Sequence, residues 1–450
     1  MTIFRGNDIR GIYGSELNDS DAYAIGNAFV QSVKSRKIVV GRDNRVLSPA
    51  LHKSLVKGIT DSGADVIDVG IIDSPGAYFA SHHFKKPVIM ITASHNPPEH
   101  NGFYLCKSDG EAVFKENGLK VIEKLVNDKK IVKSTHKGSI NNASILPIYA
   151  KHLLSFVNTK SIKPIKIVID AGNGVGAPIA KEVYKHTSQI KVIPIYFESD
   201  GSFPNRGPDT TIERNLSMLQ KEVTRMKADF GIAFDGDADR VAFVDEKGNI
   251  IEGSLIGALL AQSILQKTGR KKENVVYTIG CSRIVPETIK KYGGSPVRER
   301  VGHSFVNAAM RKTQAIFGVE HTGHYFYRDN FATESPIITS LKVCEILSRT
   351  NKQISQLIKP YKKYYMTKEI SFHVQDQLKV LENVKEQLNK KYLGKIETFD
   401  GLFVDCKAYW FRIRASQTEP LIRMVIEGRD KKEIEGIKNK LVAMIKNALG

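Results

Sequence analysis

The sequence predicts an α/β protein that ends in a smaller α+β domain, and three observations support this prediction. Strand-like and helix-like stretches alternate between about residues 37 and 349, which is typical of mostly parallel sheets covered by helices. Within that region a unit of strand, tight polar turn and helix occurs three times, with strands that begin at Lys37, Ile165 and Asn274. The C-terminal part instead contains closely spaced strands between two helices. The 450 residues are enough for about two to four domains and a cleft between them.

The first of the three units opens with a buried strand over residues 37–41. Ser48 and Pro49 then predict the N-cap and the first helical position of a helix that ends near Gly63. A further strand over residues 88–92 leads into a polar loop.

The second and third units follow the same order of elements, and a helix precedes the second. The predicted segments are an amphipathic helix at 149–157, a strand at 165–169, a turn at 170–174 and a helix to about 185, then a strand at 274–280 and a helix after 282.

The C-terminal domain is expected to begin near residue 359 and to contain an antiparallel sheet. Its strands are predicted at 368–374, 398–406, 409–416 and 421–427, and its helices at 375–389 and 431–448.

Charge and cysteine content limit the class of protein. Lys and Arg number 67 and Asp and Glu number 48, a net charge of +19, so nucleic acid, an anionic membrane and phosphorylated metabolites are all plausible partners. The basic residues are scattered, with acidic residues between them, unlike the clustered footprint of nucleic-acid-binding proteins. The four cysteines lie far apart without a CxxC pair, so neither a disulfide framework nor a zinc site is predicted. With no secretory signal and no apolar run of about 20 residues, the expected location is the cytoplasm.

A serine lies just beyond the predicted strand at 88–92, in the run Thr-Ala-Ser-His-Asn-Pro-Pro of residues 92–98. A hydroxyl held at a strand terminus can act as a nucleophile or as a phosphoryl carrier. Ser94, with His95 next to it, is a candidate for this chemistry, and a turn in which the serine only bonds local backbone is the alternative. No Gly-x-Ser-x-Gly elbow surrounds Ser94, which weakens a hydrolase interpretation.

Two apolar strands, predicted at 230–234 and 241–245, enclose a short acidic loop. Alternation places its carboxylates, Asp235, Asp237 and Asp239, on one side, where two of them about 4 Å apart repel by roughly 4 kcal/mol. A hard divalent cation cancels that repulsion, and oxygen ligands favour Mg²⁺, Mn²⁺ or Ca²⁺ over zinc. An EF-hand is disfavoured because an arginine occupies the sixth position, which requires glycine, and because the flanks are strands. An acidic β-turn without a metal is the alternative.

Two further polar loops occur later in the chain. Residues 318–324 place Glu320, Thr322 and His324 at alternate positions after an apolar strand, which suits the hydroxyls of a polyol. Residues 414–420 combine an arginine fork, two hydroxyls and an amide between two strands, which suits a phosphate. A polar structural turn is the alternative for each loop.

Together these motifs resemble the α-D-phosphohexomutase superfamily, and in particular its phosphomannomutase/phosphoglucomutase branch. The run Phe-Arg-Gly-Asn-Asp-Ile-Arg-Gly at residues 4–11 is similar to the Asp-Ile-Arg-Gly entrance of that branch. It is less similar to the Gly-Ile-Arg-Gly entrance of phosphoglucosamine mutases. Four separated motifs in the family's order, over nearly the whole chain, are more specific than any one of them.

The resemblance implies three similar α/β domains with mixed, mostly parallel sheets and a smaller C-terminal α+β domain, arranged around a central cleft. The expected domains are 1–142 with a phosphoserine loop, 143–248 with a metal-binding loop, 249–358 with a sugar-binding loop and 359–450 with a phosphate-binding loop.

The resemblance also implies an activity, the interconversion of the 1-phosphate and 6-phosphate of a hexose, mannose or glucose. Ser94, carried as phosphoserine, would give its phosphoryl group to one substrate hydroxyl, and the resulting hexose 1,6-bisphosphate would turn over and return it from its other end. Asp235, Asp237 and Asp239, with an oxygen of phosphoserine 94, would hold Mg²⁺. In such phosphoryl transfer the protein mainly positions groups and stabilises charge.

The same likeness implies the remaining site residues. Arg10, which would also bind substrate, and Arg240 would act close to the transferred group. The substrate-binding residues from the sugar and phosphate loops would be His303, Glu320, Thr322, His324, Arg414, Ser416, Gln417, Thr418 and Arg423.

Two missing lysines depart from the family's pattern. Tyr104 stands where many members have a lysine thought to assist proton transfer. His95 is therefore the first candidate for the proton acceptor, because imidazole titrates near neutral pH, with Lys107 and Tyr104 itself as weaker candidates. Gly280 stands where dual-specificity enzymes tend to have a sugar-binding lysine.

Several alternatives remain open from the sequence. A phosphoglucosamine mutase and a degenerate homologue that binds sugar phosphates without turnover are the alternatives within the family. A nucleic-acid-binding protein is suggested only by the net charge. The expected partner is a small sugar phosphate, and neither a nucleic acid nor a membrane is expected. The sequence does not decide the preferred hexose or the oligomeric state.

Overall fold

The computed structural model describes residues 3–6, 8–269, 272–391, 396–416 and 420–449. Four β-sheets follow one another along this described part of the chain, and helices cover them. Among the described residues, no helix combines the length and the apolar character needed to cross a bilayer.

The first sheet has the strand order β1-β5-β4-β2-β3-β6. Its strands are β1 (Ile9–Ile12), β2 (Lys37–Arg42), β3 (Asp65–Ile71), β4 (Val88–Ile91), β5 (His100–Cys106) and β6 (Ile140–Asn142). Its helices are α1 (Asp19–Val33), α2 (Ser48–Asp61), α3 (Ser74–Phe84) and α4 (Lys120–Asn127).

The second sheet has five strands, β7 (Ile165–Asp170), β8 (Ile190–Ile195), β9 (Phe230–Phe234), β10 (Val241–Asp245) and β11 (Ile250–Ile251). Its order is β11-β10-β9-β7-β8. The associated helices are α5 (Leu146–Leu154), α6 (Gly176–Tyr184) and α7 (Ser217–Arg225).

The third sheet also has five strands, β12 (Asn274–Thr278), β13 (Ser295–Glu299), β14 (Phe317–Val319), β15 (Tyr325–Tyr327) and β16 (Thr333–Glu334), in the order β13-β12-β14-β15-β16. The associated helices are α8 (Gly253–Lys267), α9 (Ile284–Lys291), α10 (His303–Thr313), α11 (Pro336–Thr350) and α12 (Ile354–Ile358).

These three sheets repeat one arrangement, as the sequence predicts. In each, a strand from the predicted units, β2, β7 or β12, pairs in parallel with its neighbours on both sides. One of these neighbours, β4, β9 or β14, is followed by a hairpin and pairs in antiparallel fashion with β5, β10 or β15, respectively. The sheets are therefore mixed, and each contributes one equivalent hairpin at the same place.

The fourth sheet is antiparallel in all its pairs, as predicted for the C-terminal domain. Its strands are β17 (Tyr365–Met366), β18 (Ile370–His373), β19 (Ile396–Glu397), β20 (Leu402–Asp405), β21 (Tyr409–Ala415) and β22 (Leu421–Gly428), with helices α13 (Gln377–Lys391) and α14 (Lys431–Leu449). The domain boundaries at residues 142, 248 and 358 remain predictions.

The apolar interior joins the first three sheets. A single cluster of buried side chains includes Val39 of β2, Phe230 of β9 and Phe317 of β14. The fourth sheet has a separate core, and a small cluster that contains Ile279 and Trp410 links it to the third. The first three sheets thus form one packed body onto which the fourth docks.

The predicted N-cap at Ser48 is wrong. Leu47 is the N-cap residue of α2, and it has no side-chain cap. The hydroxyl of Ser48 instead donates to Oδ1 of Asp43 at 2.5 Å and accepts from Nδ2 of Asn101 at 2.9 Å. Because this oxygen is engaged by two residues distant from the helix start, it does not cap the helix.

Helices α1 and α2 cross so closely that glycine is needed at the contact. A Cβ atom at Gly58 would lie 2.1 Å from the carbonyl oxygen of Tyr23. We expect Gly58→Ala to lower the free energy of unfolding by about 2 kcal/mol, because overpacking costs more than the roughly 1 kcal/mol that alanine contributes as a better helix former. Urea unfolding measures the change.

Gly436 in α14 is the matched control, because a Cβ there would meet nothing within 4 Å. Gly436→Ala should leave stability unchanged or raise it by up to about 1 kcal/mol. Equal effects of the two substitutions would contradict the close helix contact.

Candidate active site

The loops singled out from the sequence meet at one cleft of about 700 Å³. Side chains from all four sheets line it, and they include Arg10, His95, Arg240, Glu320, Thr322, His324, Arg414, Ser416 and Arg423. Three of the loops occupy the equivalent hairpins β4–β5, β9–β10 and β14–β15. The repeated arrangement of strands therefore brings three different loops to one place.

Ser94 lies in the β4–β5 hairpin next to His95, which lines the cleft, and Ser94 itself is only 1% exposed. Its backbone adopts the left-handed region, with φ of 49°, and its N–H donates to Oγ1 of Thr92 at 2.9 Å. Its Oγ lies 3.1 Å from Nδ1 of His95 and 3.3 Å from Oδ2 of Asp235. The hydroxyl thus faces an imidazole and the acidic loop of the second sheet together.

Arg45, which was not among the site residues predicted from the sequence, holds the Ser94 loop in place through hydrogen bonds to its carbonyl oxygens. Its guanidinium donates to the carbonyl oxygens of Ser94, Asn96 and Pro97 at 2.7 Å each and to that of His100 at 3.1 Å. Its Nε lies 3.1 Å from a carboxylate oxygen of Asp43. Arg45 is 1% exposed, so these contacts exclude water and fix the loop.

We expect Arg45→Met to lower the free energy of unfolding by about 3 kcal/mol, because it leaves several buried carbonyls without a donor and removes the cation that pairs with the buried Asp43 carboxylate. The sequence predicts that Ser94 carries a phosphoryl group, and loss of the contacts from Arg45 should slow that transfer by about tenfold or more, since small misplacements of a reacting group are costly. Urea unfolding and single-turnover kinetics measure the two effects.

Arg45→Lys is the matched control, because it keeps a charge for Asp43 but cannot reach four carbonyls in the same fork. It should recover part of the stability and little of the rate. Full activity in both variants would show that the loop keeps its shape without Arg45.

The three aspartates of the β9–β10 hairpin form a compact group. One oxygen from each of Asp235, Asp237 and Asp239 lies within 4.8 Å of the others, and all three residues are at most 1% exposed. Oδ1 of Asp237 and both oxygens of Asp239 are buried without a hydrogen-bond partner among the described residues. Ser74 donates to Oδ2 of Asp237 at 2.6 Å, which orients that carboxylate. Unpaired oxygens converging in a buried site fit a hard cation, so this group can bind a metal.

The shifted pKa values of the three aspartates also support a metal site. Burial, followed by repulsion from Asp239 and Asp237, holds the pKa of Asp235 well above its usual range. Burial and Asp239 raise the pKa of Asp237 to about 7. Burial also acts to raise the pKa of Asp239, but the imidazolium of His324 outweighs it and the pKa is lowered. Three buried carboxylates ionise together only when a cation compensates them.

Two arginines flank this group. Arg10 donates through Nη2 to Oδ2 of Asp8 at 2.7 Å and to the hydroxyl of Tyr104 at 2.6 Å, and through Nη1 to Oδ1 of Asn96. Nε of Arg240 lies 3.8 Å from Oδ2 of Asp235. Both guanidinium groups thus lie at the boundary between the cleft and the buried carboxylates.

The three candidates for the proton acceptor differ clearly in the structure. Burial holds the pKa of His95 well below its usual value, so this imidazole is neutral, and its Nδ1 lies 3.1 Å from Oγ of Ser94. Burial raises the pKa of Tyr104 well above its usual value, so the phenol keeps its proton. Lys107 pairs with Glu111 at 2.9 Å and does not line the cleft. The geometry therefore favours His95.

The sugar-loop residues are hydrogen-bonded to one another. Thr322 Oγ1 donates to Oε1 of Glu320 at 2.6 Å, and the backbone N–H of Gly302 donates to Oε2 at 3.0 Å. His324 bridges two acids, with Nδ1 3.2 Å from Glu320 and Nε2 3.4 Å from Asp239. Burial acts to lower the pKa of His324, but Asp239 and Glu320 outweigh it, and the pKa is raised well above its usual value. The imidazolium thus connects the sugar loop to the acidic loop.

His303, predicted to bind the sugar, begins α10 and also lines the cleft. Its ring packs edge-on against Tyr104, with centroids 4.9 Å apart, and lies 6.5 Å from the ring of His324.

The phosphate loop is only partly described. Nη1 of Arg423 lies 3.0 Å from Glu369, and Nη2 of Arg414 lies 3.9 Å from the same carboxylate. Ser416 is buried, and its N–H donates to the carbonyl of Leu421 at 2.8 Å. The predicted binding residues Gln417 and Thr418 lie outside the described residues.

Gly280, which stands where a lysine was expected, leaves space for the side chain of His321. The imidazole of His321 packs directly on Gly280, and a Cβ atom there would lie 2.3 Å from Cε1 of His321. His321 was not among the predicted site residues, and its place between Glu320 and Thr322 was the signal that could have identified it.

The fold and the site define a four-sheet α/β protein in which a buried serine hydroxyl and a potential metal site lie beside a cleft that a loop suited to a polyol lines. Comparison with known families matches all four parts. Residues 1–132, 147–248 and 252–364 match phosphoglucomutase/phosphomannomutase alpha/beta/alpha domains I, II and III, and residues 369–444 match the C-terminal domain. The chain belongs to the phosphoglucomutase/phosphomannomutase family.

Individual relatives match along almost their full length. A phosphomannomutase of Methanocaldococcus jannaschii is 33% identical over 448 residues, covering 99% of this chain and 98% of the relative. A phosphomannomutase/phosphoglucomutase of Pseudomonas aeruginosa is 33% identical over 444 residues, covering 97% and 94%. A solved family protein from Burkholderia thailandensis has a TM-score of 0.88 at 29% identity, covering 100% of this chain and 98% of that one. The family and the enzyme class predicted from the sequence are confirmed.

Proposed function

We propose that this chain interconverts the 1-phosphate and 6-phosphate of mannose or glucose, with Ser94 as the phosphoryl carrier and a hexose 1,6-bisphosphate as the intermediate. The observation that carries the proposal is the position of Ser94. Its hydroxyl lies 3.3 Å from an oxygen of Asp235 and 3.1 Å from Nδ1 of His95, a residue of the cleft that the sugar loop also lines.

The residues that would hold Mg²⁺ are Asp235, Asp237 and Asp239, together with an oxygen of phosphorylated Ser94. Their unpaired buried oxygens support this assignment. When bound, the ion would neutralise negative charge on the phosphoryl group that is transferred.

The protein groups around Ser94 suit a balanced exchange of the phosphoryl group. An oxygen of the substrate forms a bond to phosphorus while the bond from phosphorus to Ser94 Oγ breaks. The proton of the substrate hydroxyl passes to His95, whose Nδ1 lies 3.1 Å from Oγ, and from there to the leaving Ser94 oxygen. Arg10 and Arg240 stabilise the charge on the phosphoryl oxygens. The second half of the reaction repeats these steps in reverse at the other end of the sugar.

Substrate recognition would be divided between two loops. Glu320, Thr322 and His324, with His303, offer donors and acceptors to the sugar hydroxyls. The non-reacting phosphate would be bound by the C-terminal loop, that is by Arg414, Ser416, Gln417, Thr418 and Arg423. A second cavity of about 670 Å³ shares Arg10, His95 and Arg423 with the cleft, and this adjoining space supports reorientation of the intermediate.

The proposal is tested by incubating the enzyme with Mg²⁺, a trace of glucose 1,6-bisphosphate and each of three substrates. These are the 1-phosphates of mannose, glucose and glucosamine. Phosphorus NMR should show conversion of the mannose or glucose ester to its 6-phosphate. No conversion of any of the three would refute the proposed activity, and faster conversion of the glucosamine ester would assign the chain to the aminosugar instead.

A further inference from the structure

The imidazole of His321 lies in the wall of the cleft, where Gly280 leaves space for the ring and Gly253 for the backbone carbonyl of the same residue. A Cβ atom at Gly280 would lie 2.3 Å from Cε1 and 2.5 Å from Nδ1 of His321. A Cβ atom at Gly253 would lie 2.3 Å from the carbonyl oxygen of the same residue. Close packing on both sides therefore holds the ring and its backbone in one place.

The ring nitrogens of His321 have no hydrogen-bond partner in the part of the chain that the structure describes. Nδ1 is buried beside Gly280 and unpaired. Nε2 is not among the buried unpaired atoms, and it lies in a side chain that lines the cleft. Burial, followed by the charge of Arg412, lowers the pKa of His321 to about 3. The neutral ring then offers one donor and one acceptor, and a buried polar atom without a partner costs about 1–3 kcal/mol until a partner arrives.

The neighbouring sugar-loop residues Glu320 and Thr322 do not supply a hydrogen-bond partner for His321. Thr322 donates to Glu320 at 2.6 Å, so these two side chains are already bonded to each other. His321 thus presents a hydrogen-bonding group on the cleft wall that is independent of theirs.

We propose that His321 hydrogen-bonds a ring hydroxyl of the hexose phosphate and determines which hexose the enzyme prefers. The inference rests on the proposed function, because it assumes a sugar phosphate in the cleft. A hydroxyl that points the wrong way would leave the imidazole unpaired, and an unpaired buried group is what allows a site to reject a close analogue.

The test compares His321→Ala, His321→Asn and His321→Gln with the wild type on mannose 1-phosphate and glucose 1-phosphate. We expect His321→Ala to raise KM for the preferred sugar about 3- to 10-fold, the size of one neutral hydrogen bond, with a smaller change in kcat. The ratio of kcat/KM between the two sugars should change by at least about threefold. Asparagine keeps a polar atom near the position of Nδ1, and glutamine keeps one near the position of Nε2. The variant that recovers the wild-type ratio of kcat/KM therefore identifies the ring nitrogen that binds the sugar.

Gly280→Ala perturbs the same contact without changing His321, because its Cβ would displace the ring. It should shift the sugar preference as His321→Ala does, and it should add little to His321→Ala in the double variant, since the two act on one contact. Gly436→Ala, where the added Cβ meets nothing within 4 Å, is the control and should leave the preference unchanged.

An unchanged KM and an unchanged sugar ratio in folded His321→Ala would overturn the inference. It would also be overturned if Gly280→Ala had its full effect in the absence of the imidazole. Thermal unfolding shows whether each variant is folded. Calorimetric dissociation constants for the two sugar phosphates separate this inference from the proposed function. If the wild type binds a sugar phosphate more tightly than His321→Ala but does not convert it, only the proposed activity is refuted. If the wild type converts the sugar phosphates and His321→Ala keeps the same ratio of kcat/KM, only the role of His321 is refuted.

Discussion

Ser94→Ala should abolish turnover, with a loss of at least about 10⁴-fold in kcat, because removal of a nucleophile in a cooperating group of residues costs this much or more. The other hydroxyls near the acidic loop are already engaged, and that of Ser74 donates to Asp237 at 2.6 Å. The nearest in the loop, that of Thr92, accepts the Ser94 N–H and lies 3.4 Å from Asp237. The rate is measured by phosphorus NMR with saturating mannose 1-phosphate or glucose 1-phosphate.

A second measurement identifies the carrier directly. Glucose 1,6-bisphosphate labelled with radioactive phosphorus should leave an acid-stable label on the wild-type peptide that contains Ser94, and no label on Ser94→Ala. Ser81→Ala is the matched control, because its hydroxyl is also in the first α/β unit but donates to the carbonyls of Lys86 and Lys107. It should keep both the label and the rate. A normal rate in Ser94→Ala would refute the assignment of the carrier.

Asp239→Asn is expected to lower kcat about 10³-fold and to weaken Mg²⁺ binding about 100-fold. It removes the charge of a proposed metal ligand, a buried carboxylate that has no hydrogen bond among the described residues and pairs only with Nε2 of His324 at 3.4 Å. The replacement keeps the size of the side chain, so it should not open a cavity. It also removes one of the two carboxylates that raise the pKa of His324, so that imidazole should lose its charge more readily. Isothermal titration with MgCl₂ and the dependence of rate on Mg²⁺ concentration measure the effects.

Asp209→Asn controls for the loss of one negative charge at the cleft. Asp209 lines the same cavity but accepts from the N–H and the hydroxyl of Thr211, at 2.8 and 2.7 Å. Its replacement should change Mg²⁺ affinity less than about threefold, because the charge of this partly exposed side chain is screened and is not one of the three converging carboxylates. Unchanged Mg²⁺ affinity in Asp239→Asn would mean that the acidic loop is structural.

The acidic loop was the part most accessible to sequence reasoning. The strands predicted at 230–234 and 241–245 are the observed β9 and β10, because long apolar runs end sharply at charged residues. The three predicted repeats are equally clear, since each begins with an apolar strand and continues into a helix. Patterns of this kind can be predicted from the sequence because they depend only on residues that are close together along the chain.

The supporting contacts of the site could not be predicted in the same way. The carbonyl partners of Arg45 lie 49 to 55 residues away along the chain, and no local pattern distinguishes this arginine from an exposed one. Ser48 has the sequence context of an N-cap, but its oxygen bonds to Asp43 and Asn101 once the sheet forms. Gly280 was understood as the loss of a lysine, and only the packing shows that the ring of His321 occupies that space.

The backbone of Ser94, with its positive φ of 49°, adopts a conformation that glycine accepts freely and that costs a serine roughly 1 kcal/mol. Glycine would therefore stabilise this hairpin, yet it would remove the oxygen that we propose as the phosphoryl carrier. Efforts to make the enzyme more heat-resistant by replacing residues in left-handed conformations would select this position early, and on the proposed mechanism they would inactivate the enzyme. Any library built for thermostability should hold residue 94 constant and seek its gains elsewhere.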